Sequence, residues 1–150
     1  MGRGARIRKG FTLIELMLVV AIIGLLSAIA LPKFANLVIK AKEAALKGKL
    51  GALRSAISIY YADNEGRFPI LAQTSNWSNL TTGARYLDAP LRASIPTYPA
   101  HVEDIGFWSN PGTDWLFNGD NKAWLYISGT GKMVVNCLHT DSGGITWSLW

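Results

Sequence analysis

Few side chains here are of the kinds that ligate metals, attack carbonyls or exchange protons in matched pairs. Cys137, His139 and His101 supply the only thiol and imidazoles, and one cysteine with two histidines lacks the paired spacing of a zinc site. A single cysteine also forbids an intrachain disulfide. In MVVNCLH, Cys137 alternates with Met133 and Val135 along one side of an expected strand, which predicts a buried, inert thiol. Asp114, Asp120 and Asp141 are too scattered to give the roughly six to eight oxygens that calcium takes. His101 in PAHVED and His139 in NCLHTD read as surface loop positions. No nucleophile elbow, phosphate-binding glycine loop or acid–base pair stands in a convincing context. The expectation is a protein that is not an enzyme and takes no cofactor or metal.

The charge that demands an account is Glu15. In FTLIELMLVVAIIGLLSAIAL, Phe11 to Leu31, it is the only charged residue of 21. A carboxylate at the centre of a bilayer costs about 2.5 kcal/mol or more even on lenient insertion scales. Some partner must compensate it.

The elements that would position Glu15 fall into three parts. Residues 1–10, MGRGARIRKG, read as a short basic targeting segment. Residues 11–62 read as one long helix of roughly 75–80 Å at ~1.5 Å per residue, well beyond a hydrocarbon core of about 30 Å. Its first part, residues 11–31, is apolar all round, as burial in lipid or among other helices requires. Beyond it, Leu46, Leu50, Leu53, Ile57 and Tyr60 recur at helical spacing and predict a stripe packed on the rest of the domain. Roughly opposite lie Phe34, Leu37, Ala41, Ala45, Gly48, Ala52 and Ile59, apolar but mostly small, which predicts a second partner at close approach. Lys33, Lys40, Lys47 and Arg54 follow one another every seven residues and form a basic ridge between the two faces. Gly24 and Pro32 weaken the helix locally, because glycine is a poor helix former and proline removes a hydrogen bond near Ala28.

Residues 63–150 form the expected head. ADNEGRFP ends the helix with turn formers and a proline, and the prolines of LDAPLRASIPTYPA argue against central strands. DWLFNGDNKAWLYISGTGKMVVNCL alternates as three antiparallel strands would, with turns at Asn118–Asn121 and Gly129–Lys132. All six tryptophans lie in the head and read as core. Asn76 and Asn79 open two overlapping sequon patterns that polar turns also produce. The net charge of +5 is polarised: Arg3, Arg6, Arg8 and Lys9 hold +4, Lys33–Arg54 carries six bases against Glu43, and residues 68–150 carry four bases against six acids. Such polarity bears on partners and assembly.

KGFTLIELMLVVAIIGLLSAIALP resembles the N-terminus of type IV pilins and of the pseudopilins of type II secretion. The resemblance is strongest over residues 8 to about 40 and extends more weakly through DNEGRFP into the head. It implies that prepilin peptidase cuts between Gly10 and Phe11 and methylates the new amine of Phe11. Glu15 would then neutralise the Phe11 amine of a neighbouring subunit. Two opposite charges stranded in an apolar core each lose most of their burial penalty on meeting, so Glu15 would act as a registry device. Gly24 and Pro32 match family positions between which the helix often melts on assembly. The chain departs from many pilins in lacking the cysteine pair that closes a C-terminal loop. DSGGITWSLW must be held by Trp147 and Trp150 or by something else.

The expected fold class is α+β: a long N-terminal helix whose second half packs on a small antiparallel sheet. The expected function is a structural subunit of a type IV pilus, stored in the inner membrane with its head outside and polymerised through the helix into an extracellular filament. The alternative is a type II secretion or competence pseudopilin in a short periplasmic filament. Implied partners are further copies of the chain, prepilin peptidase, an assembly ATPase, a platform protein and a secretin where an outer membrane is present. The basic ridge is assigned to subunit electrostatics in preference to DNA. A conventional secretory signal cut after Ala28-Ile29-Ala30 is the rival reading, and Glu15 within the apolar run counts against it.

Overall fold

The computed structural model describes residues 10–71, 77–96, 107–110 and 122–150. Helix α1 runs without interruption over Leu13–Asp63, through Pro32. The chain divides into two compact units, Met1–Val38 and Ile39–Trp150, described in turn.

In the first unit the described residues are one helical rod. Every residue from Gly10 to Val38 is exposed except Ser27 and Ala30, which are half-buried. A run of Leu, Ile, Val and Met with no cover in a single subunit is long and apolar enough to cross a membrane.

The second unit has its own core. From α1 it takes Leu46, Leu50, Leu53 and Ile57, each 3% exposed or less, with Tyr60 packed at the margin. Burying each of these aliphatic side chains contributes about 2 kcal/mol, so the stripe is the main attachment of the helix to the head. Against it lie Trp124 and Tyr126 of strand β2 (Trp124–Ile127) and Met133 and Val135 of strand β3 (Lys132–Val135). Trp77, at the N-cap of the short helix α2 (Ser78–Thr81), Leu80 within it, Cys137 and Trp147 belong to the same core.

The strands β2 and β3 pair antiparallel, Trp124 opposite Val135 and Ile127 opposite Lys132. Their turn, Ser128–Gly131, closes with the Gly131 N–H donating to the Ile127 carbonyl at 2.8 Å. Gly131 has φ +69°, and a Cβ there would collide with the Phe68 ring. Glycine therefore allows Phe68, from the post-helix FP, to seat on the hairpin. Strand β1 (Phe107–Asn110) pairs with β2 in parallel, Phe107 opposite Trp124, giving the order β1-β2-β3. This parallel neighbour lies before the stretch that reads as three antiparallel strands in the sequence. About a dozen residues separate β1 from β2, enough for the crossover that a parallel pair needs. The expected strand at Asp114–Phe117 and the turn at Asn118–Asn121 lie outside the described residues.

The helix ends where the turn formers stand. The Asn64 N–H donates to Tyr60 and the Gly66 N–H to Tyr61, with Glu65 at φ +56° and Gly66 at φ +79°. The proline-rich loop is tied to the sheet by the Trp124 indole N–H donating to the Leu91 carbonyl at 2.8 Å. The Tyr126 hydroxyl donates to the Pro69 carbonyl at 2.9 Å, and burial, followed by the nearby Tyr60, pushes the Tyr126 phenol upward in pKa.

Candidate functional site

The N-terminal end of α1 supplies the first group. Gly10 and Phe11 are exposed, Phe11 with 71% of its surface. Glu15 is not a bare charge. Its Oε2 accepts from the Thr12 hydroxyl at 2.6 Å and from the Thr12 backbone N–H at 2.9 Å. In return the Glu15 N–H donates to Thr12 Oγ1 at 3.3 Å. This is a reciprocal capping box, which satisfies N–H groups that the first turn leaves without partners. The pattern Thr12-x-x-Glu15 before an apolar run is legible in the sequence, but the apolar surroundings of Glu15 point to a distant partner and mask this near one. A Cβ added at Gly24 would meet no atom within 4 Å, and Pro32 lies within unbroken helix.

The basic ridge divides into two kinds of residue. Lys33 and Lys40 are exposed. Lys47 and Arg54 are occupied by the C-terminal segment of their own head. Lys47 Nζ lies 3.3 Å from the Asp141 carboxylate and sits over the Trp150 ring. Arg54 Nε donates to the Met133 carbonyl at 3.0 Å, and its Nη2 donates to the Trp150 carbonyl. Burial lowers the pKa of Arg54.

Glu43 completes this clamp, a role that its charge alone does not suggest. It is 5% exposed, and its two carboxylate oxygens accept from the Ser142 N–H at 2.8 Å and the Ser142 hydroxyl at 2.6 Å. A signal for it is present: Glu43, Leu46, Leu50, Leu53 and Ile57 continue one helical spacing, so the packed stripe extends to Glu43. On the tail side, Asp141 accepts from the Gly143 and Ile145 N–H groups at 2.9 Å each. The Ile145 N–H, ahead of those of Gly143 and Lys47, holds the Asp141 carboxyl below its ordinary pKa. Trp147 is fully buried and its ring lies 4.9 Å from that of Trp150. The tail that has no disulfide is thus held by two tryptophans and by three charged side chains of α1.

Cys137 is buried, with Sγ 3.3 Å from His139 Nδ1. Among the described residues no cluster of three or more His, Cys, Asp or Glu stands ready for a metal. His101, Asp114, Asp120 and Asn76 lie outside the described residues. Asn79 donates through its side-chain amide to the Ile70 carbonyl at 2.7 Å.

Residues 5–31 match the family model described as the prokaryotic N-terminal methylation motif. The chain is 43% identical over 136 residues to the type IV major alpha-pilin of Moraxella bovis, covering 91% of this chain and 82% of that one. It is 42% identical over 79 residues to the type IV major fimbrial protein FimA of Dichelobacter nodosus, covering 52% of this chain and 49% of that one. With the type IV major pilin protein PilA of Myxococcus xanthus the identity is 46% over 57 residues, 38% of this chain and 26% of that one. No solved structure matches. An apolar helix begun by a capped glutamate, a methylation motif laid over it, and likeness to a major pilin along nine-tenths of the sequence place this chain in the type IV pilin family, a family of structural subunits with no catalytic role.

Proposed function

We propose that the chain is the repeating subunit of a type IV pilus. Prepilin peptidase cuts between Gly10 and Phe11 and methylates Phe11, and the subunit waits in the inner membrane with its head outside. A platform protein and a cytoplasmic ATPase then feed it into a growing filament, which passes through a secretin where an outer membrane exists. The observation that carries this reading is the exposed apolar rod from Leu13 to Val38, which water does not tolerate and which lipid or other helices must cover. In the membrane, Thr12 satisfies Glu15 locally. On docking, Glu15 pairs with the Phe11 amine of a neighbour, so the charge is satisfied in both states and neutralised only in the second. Gly24 and Pro32 mark where the rod is weakest and can adjust to its neighbours.

Electron microscopy of material sheared from cells, with intact-mass measurement of the subunit, tests the reading. Long surface filaments built from a chain that begins at methylated Phe11 are the expected result. Short filaments confined to the periplasm would instead identify a secretion pseudopilin. A mature N-terminus at Leu31 would overturn the assembly role altogether.

A further inference from the structure

Only Phe11 and Thr12 separate the Gly10–Phe11 bond from α1, so whatever stops the helix bears on the cut. Gly10, Phe11 and Thr12 lie outside α1, which begins at Leu13. The Leu16 N–H donates to the Thr12 carbonyl at 3.3 Å and opens the backbone ladder. The two preceding bonds of an uninterrupted helix would join the Ile14 N–H to the Gly10 carbonyl and the Glu15 N–H to the Phe11 carbonyl. Neither is made among the described residues. The Glu15 N–H turns instead to Thr12 Oγ1 at 3.3 Å. The Thr12 N–H, which a longer helix would aim back four residues, donates to Glu15 Oε2 at 2.9 Å. The box therefore occupies the groups that would carry the helix upstream.

We propose that Thr12 is a positioning residue for leader removal: it holds the Gly10–Phe11 peptide outside the helix, where prepilin peptidase meets a carbonyl that no helical N–H has engaged. This rests on the processing proposed above. The reaction is a hydrolysis in which a water oxygen adds to the Gly10 carbonyl carbon and the bond to the Phe11 nitrogen breaks. The leader leaves with a carboxylate, and Phe11 keeps an amine that takes up a proton. A carbonyl already bonded within a helix has to be drawn out of its ladder before a protease can hold it. Near lipid, where an N–H finds little water, a first turn that has lost its cap recovers acceptors by growing upstream. The nearest ones are the carbonyls of Gly10 and Phe11. Glycine is a poor helix former and opposes that growth, but it gives the first turn no acceptor in exchange, and Thr12 does.

The test follows cleavage of full-length precursor in detergent micelles by a purified prepilin peptidase, read by intact mass. Thr12→Ala should lower kcat/KM about fivefold, the equilibrium factor that a lost N-cap side chain typically brings. The loss should fall on KM with kcat kept, because only the fraction of chain with the bond outside the helix is competent to bind. Thr12→Ser keeps the acceptor and should cleave as wild type does. Leu13→Pro added to Thr12→Ala restores a helix stop by other means, since proline at the first helical position turns the residue before it away from helical backbone, and cleavage should recover. Carbon-13 shifts of Gly10 and Phe11 in the same micelles should be non-helical in wild type, in Thr12→Ser and in the double variant, and should move towards helical values in Thr12→Ala. Wild-type kinetics for Thr12→Ala would overturn the proposal. Slow cleavage that Leu13→Pro does not rescue, or that comes with unchanged shifts, would overturn it too, and would show the peptidase reading the Thr12 hydroxyl directly. Wild-type chain that the peptidase leaves intact or cuts elsewhere would overturn the processing step itself, a failure distinct from loss of the positioning role.

Discussion

At the scale of single residues, Glu15 has two partners to be separated. Removing the capping box weakens the first helical turn by about 0.5–2 kcal/mol, whereas leaving a buried amine without an anion costs about 3–5 kcal/mol. Glu15→Ala loses both, and Thr12→Val loses only the local cap, so the two variants distinguish them. Glu15→Ala should still insert and lose its leader but reduce filament by a hundredfold or more against the processed membrane pool. Thr12→Val should reduce it far less. Glu15→Gln accepts a hydrogen bond but carries no charge, and it should assemble as poorly as alanine. Wild-type filament from Glu15→Ala, with processing intact, would remove the pairing role. Asp141 gives a second test. Its folded pKa is lowered, first by the Ile145 N–H, so its contribution to stability is complete above the unfolded carboxylate value of about 3.9. That contribution is lost as pH falls through the lower folded value. Thermal melts below about pH 4 should therefore fall more steeply for wild type than for Asp141→Asn, which should already be less stable at neutral pH. Parallel curves would show that the tail does not depend on this carboxylate.

At the scale of elements, the attachment of α1 to the sheet is concentrated in one stripe. Leu53 is fully buried at its centre, in one core with Leu50, Ile57, Trp77, Trp124 and Trp147. Leu53→Asp places an uncompensated charge there, at a cost of several kcal/mol against a total stability of about 5–15 kcal/mol. The head should lose its cooperative melt by circular dichroism, and an unchanged melt would show that the stripe is not what holds helix and sheet together. That stripe was legible because a helix of constant pitch repeats its buried side, and the same repeat reaches Glu43. The turn between β2 and β3 was legible from glycine, since only Gly131 accepts φ +69° beneath Phe68. Strand β1 was not, because a four-residue parallel strand owes its place to the sheet it joins and carries no pattern of its own. The division of the ridge was also beyond the sequence. Spacing puts Lys47 and Arg54 on one line with Lys33 and Lys40, but only the folded tail, ninety residues on, determines which of them meet Asp141 and Trp150.

At the scale of the whole molecule, the chain joins two units with opposite relations to water. The described residues of Met1–Val38 carry an exposed apolar run, while Ile39–Trp150 closes a core of its own around Leu46, Leu53, Trp124, Tyr126 and Trp147. The clamp of Glu43, Lys47 and Arg54 on the C-terminal segment lies wholly within the second unit, so its integrity does not depend on the apolar run. Full-length chain should accordingly need detergent or lipid to stay dispersed. A fragment from about Lys33 to Trp150 should be soluble without detergent and melt in one cooperative step, because it keeps the buried stripe, the sheet and the clamp. Deleting residues from about Gly143 onward should abolish that melt, since it removes Trp147 from the core together with the Trp150 contacts of Lys47 and Arg54. Sedimentation velocity and circular dichroism on the three species decide the matter. A fragment that aggregates or lacks a transition would mean that the head depends on the rod for its fold. The filament would then be assembled from subunits that fold only where their neighbours cover them.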